Sequence, residues 1–142
     1  MTAGPLTGGH LLIVEPDECR RLLRDAVIGR VGWQSSQGLV SLPVGYGVHD
    51  DGRIGLRVGA VGILTELSGP TEVVFEVDDI DNDTLTGWSV LVRGTARSWV
   101  GEFPAGLCRA WAPGTRDLTL QIVPKTYSGR SVSADVPGWR DK

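Results

Sequence analysis

The residues of this 142-residue chain best equipped for chemistry are its arginines and tryptophans. Arg30, Arg57, Arg93, Arg97, Arg116 and Arg130 each follow or lie inside a run that reads as a strand. A guanidinium is a planar fork of donors, so arginines converging from several strands would clamp a phosphate, whereas scattered ones are solvated or salt-bridged surface groups. Trp33, Trp88, Trp99, Trp111 and Trp139 are spread along the sequence. Large aromatics dominate cores and subunit interfaces; the sharper alternative is that one or two stack on a planar cofactor. From spacing alone, both readings stay open.

Other catalytic material is scarce. His10 lies in a leader-like stretch and His49 in a turn, and with no third histidine they supply neither a metal cluster nor a Ser-His-Asp relay. There is no GxSxG, P-loop or dinucleotide fingerprint, and Gly59 with Gly62 is too weak a pattern for phosphate binding. Asp79, Asp81 and Asp83 imitate the start of a calcium loop. That loop needs glycine at its sixth position and glutamate at its twelfth, where this chain has Thr84 and Val90, so the segment reads as a solvated acidic turn. Cys19 and Cys108 lack CxxC spacing and read as reduced packing cysteines.

The element that must position most of these groups is the stretch Thr71 to Arg97. Val73, Phe75 and Val77 share one face of its first run, and Trp88, Val90 and Val92 share one face of its second, as period-two alternation requires of half-buried strands. The DDIDND between them favours a turn, so the whole is a long antiparallel hairpin. Upstream, Glu15 to Ile28 reads as a helix with Pro16 in its first turn, with Cys19, Leu22, Leu23 and Ala26 on one face and Gly29 ending it. Arg30 to Gln34 and Leu39 to Val48 are strands joined by SSQG. Pro43 interrupts the second, which suggests an edge, a bulge or a ligand-facing opening. HDDG is a hairpin turn to Arg53–Val58. Ile63, Leu64 and Leu67 favour a short helix, Phe103 to Trp111 a second one, and Leu118 to Val123 a final strand closed by Pro124.

The count is about six strands and two or three short helices, with hairpins rather than crossover helices. The economical solution is a mainly β, antiparallel barrel with helices at its ends. One domain is expected, residues 11–132, between a loose leader, 1–10, and a weakly ordered tail, 133–142. A net charge of −3 and a pI near 5.3 argue against a general nucleic-acid or anionic-membrane surface. No apolar run reaches the roughly 18 to 20 residues of a membrane span, and the start lacks signal-peptide character, so a cytoplasmic protein is expected.

Several segments together resemble a known family. GRVGW at Gly29–Trp33, LPVGY at Leu42–Tyr46, DDGRIGLR, VVFEVDDID followed by GWSVLVRGTA, and the late Gly129-Arg130 resemble the pyridoxamine 5'-phosphate oxidase-like flavin-binding proteins, above all their small bacterial, nitroimidazole-resistance-like members. The resemblance spans roughly residues 11 to 132, with GWSVLVRG its most specific piece. It implies a six-stranded antiparallel split β-barrel and a homodimer that binds FMN in two clefts along its interface, with deazaflavin or haem in some relatives. By position, Arg57 matches the strand arginine that faces the flavin phosphate. Pro43 and Val44 match the strand beside the ring, and Trp88 and Ser89 the hairpin segment near the cofactor.

The chain also departs from the family pattern. Val61, Gly62, Ile63 and Leu64 stand where a Gly-Ser/Thr-Lys-Leu segment holds the phosphate, Gly45 stands for an asparagine and Val58 for a threonine. Loss of one charged phosphate partner costs on the order of 1.5 to 3 kcal/mol, tenfold to more than a hundredfold in affinity. Two functions follow: an FMN- or deazaflavin-dependent oxidoreductase acting on a small molecule, with no catalytic side chain or metal assigned, or a non-catalytic dimeric barrel that binds a ligand lacking a phosphate, or none.

Overall fold

A computed structural model describes residues 9–108 and 117–134 of the chain. Seven antiparallel strands carry the fold: β1 (Gly9–Val14), β2 (Ile28–Ser35), β3 (Gly38–Val48), β4 (Ile54–Val58), β5 (Thr71–Asp81), β6 (Thr86–Ser98) and β7 (Leu118–Ala134). Among the described residues one α-helix, α1 (Pro16–Asp25), and one 3-10 helix, Ile63–Ser68, accompany them. The expected hairpin is β5–β6, in unbroken register from Thr71↔Ala96 to Asp81↔Thr86. Val73, Phe75, Val77, Val90 and Val92 are buried as the alternation requires. Asp81 forms the turn, its Oδ1 accepting from the backbone N–H of Asp83 and of Thr84.

The sheet runs β1-β7-β4-β3-β2-β5-β6, and β6 pairs again with β7. Six strands, β2 to β7, therefore close into a ring, the split barrel, while β1 adds to one edge of β7. Closure removes the edges that an open antiparallel sheet would expose. The core fills the ring: Val31, Ile54, Leu56, Phe75, Leu120 and Ile122 are inaccessible, and Leu23 of α1 packs onto them. Gly29 leaves room for a ring, since a Cβ there would lie 2.3 Å from Cζ of Phe75, and Tyr46 meets that ring edge-on at 5.0 Å.

Four expectations are corrected. α1 stops at Asp25 rather than Ile28, because Val27 already joins the sheet through its carbonyl to Tyr46 N (3.1 Å) and Ile28 begins β2; Gly29 lies inside that strand. Phe103–Cys108 is a run of turns and bends, not a helix, and the rest of the expected Phe103–Trp111 helix lies outside the described residues. Pro124 does not close the last strand. β7 continues through it, and the change of register from Thr126↔Arg93 to Pro124↔Gly94 leaves Lys125 as an extra, bulged residue, the setting in which a strand tolerates proline. Finally, β1 starts at Gly9 and β7 runs to Ala134, so the sheet extends into both the leader and the tail.

Candidate functional site

Because side chains alternate across a strand, the residues between the core positions form a second, outward face. The pairings arrange this outer face in rows. One runs Pro43, Arg30, Glu76, Leu91, Ser128 from β3 to β7. The next runs Asp78, Ser89, Arg130 and, on β1, Ile13. A third, on the other side, runs Ser41, Gly32, Val74, Arg93, Thr126.

Two grooves follow these rows. A groove of about 450 Å3 lies over Gly32, Leu39, Ser41, Glu72, Val74 and Arg93, and its walls are mainly apolar. A second of about 490 Å3 is lined by Ile13, Glu76, Ser89, Leu91, Ser128 and Arg130. The second gathers donors: two hydroxyls and a guanidinium over a leucine floor. Burial, then the charge and hydrogen bond of Asp78 on the same face, raise the Glu76 carboxyl above its ordinary range, partly countered by Arg30 across the strand pair.

The residues expected from sequence fall into three sets. Pro43 and Arg57 are exposed on the outer face. Among the described residues β3 pairs with β4 only over Tyr46–Val48, which leaves the β4-facing side of β3 beside Pro43 without a strand partner, an edge, one of the three readings its proline allowed. Continuing that register by one residue sets Arg57 beside Gly45. Ser89 lies on the same face, in the second groove. Pro43 and Arg57 lie on β3 and β4, neither of which pairs with the β6 strand of Ser89, and on β7, which pairs with both β4 and β6, the partners of Arg57 and Ser89, Thr119 and Arg130, are eleven positions apart.

Val44 and Trp88 point the other way. Val44 is 3% exposed and belongs to the core, and Trp88 packs against it, so neither side chain enters the grooves. Gly62, Ile63 and Leu64 begin the 3-10 helix at the barrel end. Ile63 and Leu64 pack on the core, and Gly62 has φ +111°, a conformation that strains any residue with a Cβ. The corner thus offers neither the cation nor the hydroxyl of a Ser/Thr-Lys segment.

Sequence reasoning missed Glu76 and Leu91 as groove residues. Their signal was present, since they occupy the positions complementary to Val77 and Val92 in the alternating runs, but a single strand pattern does not say which strand lies beside which.

The comparisons with known proteins agree with this architecture. The Mycobacterium tuberculosis protein Rv0080 is 29% identical over 142 residues, 94% of this chain and 93% of its own length. The structure of a candidate pyridoxamine 5'-phosphate oxidase from Corynebacterium glutamicum superposes with a TM-score of 0.73 at 25% identity, covering 89% of this chain and 96% of that one. The FAD-binding protein of Mycobacterium smegmatis superposes with a TM-score of 0.68 at 25% identity, covering 86% and 98%. The family model of pyridoxamine 5'-phosphate oxidase matches residues 15–131, most of the chain and all of the closed barrel's strands but the end of β7. On that match, the chain belongs to the pyridoxamine 5'-phosphate oxidase family.

Proposed function

We propose that this protein binds a flavin on the outer face of the barrel, where two copies of the chain meet, and acts as a cytoplasmic flavin-dependent oxidoreductase on a small molecule. The observation that carries the reading is the placement of Pro43, Arg57, Ser89 and Arg130 on one continuous outer face, in a chain whose structural relatives include an FAD-binding protein. Within one chain Arg57 and Ser89 are not neighbours: β4 and β6 do not pair, and their partners on β7, Thr119 and Arg130, are eleven positions apart. Two copies related by a twofold axis would set the Pro43–Arg57 half of one face against the Ser89–Arg130 half of the other, since such an interface presents the same patch twice. Arg130 has no ion-pair partner among the described residues, and with Ser89 and Ser128 it offers a donor set suited to phosphate.

The flavin, when bound, supplies hydride transfer; the protein's share is binding, orientation and electrostatics. Arg57 and Arg130 hold the anionic end, Pro43 and the neighbouring backbone flank the ring, and the partner's face excludes water. FMN, FAD and a deazaflavin share this chemistry, and the missing lysine at Ile63 weakens the phosphate end for each.

The purified protein is expected to be yellow, or to quench FMN or FAD fluorescence with micromolar affinity. Ile63→Lys is expected to tighten FMN binding about tenfold by restoring one charged partner. The strained φ at Gly62 makes Gly62→Ser a poor companion change. A colourless protein that titrates with none of the three flavins would leave the second reading, a non-catalytic barrel for a ligand without a phosphate. The apolar Ile63–Leu64 corner is the observation that favours it.

A further inference from the structure

The outer surface of the β3–β4 hairpin carries a notch. Gly47 and Gly55 are directly paired across the two strands, and neither has a side chain to fill the space between. Leu107 fills it: a Cβ on Gly47 would lie 1.7 Å from the Leu107 carbonyl oxygen, and one on Gly55 2.5 Å from its Cδ2. The next residue, Cys108, directs its thiol to the Gly55 carbonyl at 3.1 Å. The Gly47 and Arg57 backbone and the Arg57 charge draw the thiol pKa down, against a larger upward push from burial.

The other end of the segment is anchored more firmly. The Arg53 guanidinium lies 3.8 Å from the centroid of the Trp99 ring, and His49 and Phe103 meet that ring edge-on at 5.6 and 5.0 Å. Gln121 is 4% exposed, and its Oε1 accepts from Val100 N (2.9 Å) and from Arg53 Nη1 (2.8 Å). Between the two anchors the chain is largely exposed, with Gly101 at φ +96° and Gly106 at φ +77°. Such residues absorb the backbone changes of a hinge at little steric cost.

We infer that residues 99–108 form a strap, fixed at Trp99 and docked reversibly at Leu107–Cys108, whose seated state shields Cys108 and holds the backbone around Arg57. Ligand held at Arg57 favours the seated strap, and by reciprocity a strap kept unseated weakens that ligand. The link to a ligand rests on the flavin reading above; the strap itself does not. Burial pushes the Cys108 thiol up to about 11, consistent with a sulfur that stays protonated and slow to react while the strap is seated.

The test is the rate at which the native protein reacts with the thiol reagent DTNB, with the buried Cys19 as the silent thiol. Leu107→Ser removes the plug and Gly55→Val fills its notch, and each is expected to speed Cys108 modification about tenfold or more, within the range usual for coupled sites. Saturating FMN is expected to slow the wild-type reaction, and Cys108-modified protein to bind FMN more weakly. Equal rates in wild type and both folded variants overturn the strap. FMN that binds by fluorescence yet leaves the rate unchanged overturns the coupling. If wild type binds no FMN, the flavin reading of Arg57 and the coupling fall together, while the variant rates still decide the strap.

Discussion

Asp51 draws the β3–β4 turn together through one carboxylate. Partial burial pushes its pKa up, but hydrogen bonds from the Arg53 backbone N–H, the Arg53 guanidinium and His49 outweigh this and bring it down to about 2. A carboxyl whose folded pKa is depressed stabilises above its unfolded value, near 3.8, and that contribution is lost as pH falls through the folded value. Asp51→Asn is therefore expected to lower the Tm at neutral pH, with the gap to wild type narrowing between about pH 4 and 2; thermal melts across that range check it, and a constant gap would contradict it. Gly29 makes the opposite kind of demand. Its missing Cβ is where the edge of the Phe75 ring rests, so Gly29→Ala should destabilise by about 1–3 kcal/mol, the usual cost of overpacking, in denaturant titration. Alternation made the Phe75 core position legible, but not the glycine beneath it. The partner is 46 positions away, and only the β2–β5 pairing brings the two together.

At the level of elements, the sequence was readable wherever one period ran long enough. The β5–β6 hairpin shows this best, with three core residues on each strand. β1 was missed because Leu11, Leu12, Ile13 and Val14 form a continuous apolar run with no alternation, and its pairing with Ser131–Gly129 is non-local. The Phe103–Cys108 part of the expected helix was mistaken because Phe103 and Leu107 sit at helical spacing for another reason: Phe103 packs on Trp99 and Leu107 on the glycine pair. The 3-10 helix was legible as a short helix, but its anchor was not. Glu66 accepts from Trp33 Nε1 (3.1 Å) and from the Ser36 backbone N–H and hydroxyl, tying the helix to the β2–β3 turn. These bonds, led by the Ser36 hydroxyl, also lower the Glu66 pKa. Glu66→Ala leaves an indole N–H of a buried tryptophan without its partner, which costs about 1–3 kcal/mol. The expected result is that loss in chemical denaturation; a Gln variant should recover part of it, because the amide oxygen still accepts.

The molecule as a whole leaves its outer face incompletely explained by its own fold. The barrel's shape was legible from strand count and hairpin connections. The use of its surface was not, because which outward residues share a face depends on register between strands far apart in sequence. Leu39 is 81% exposed and Val74 40% exposed, and both line the apolar groove on the face that carries Pro43 and Arg30. Burying side chains of this kind is worth about 1.5–3 kcal/mol each, and soluble monomers seldom leave such a groove open. If two copies meet through this face, Leu39→Asp with Val74→Asp places two desolvated carboxylates against their own symmetry mates, a penalty well beyond the lost apolar contact. The double variant is expected to sediment as a monomer where wild type sediments as a dimer, with the same far-UV circular dichroism. Its flavin affinity should fall in parallel, since each cleft would lose the half contributed by the other copy. A double variant that stays dimeric places the interface elsewhere. A monomeric double variant with wild-type flavin affinity would show that one chain holds the cofactor alone, which the placement of Arg57 and Ser89 on strands that do not pair argues against.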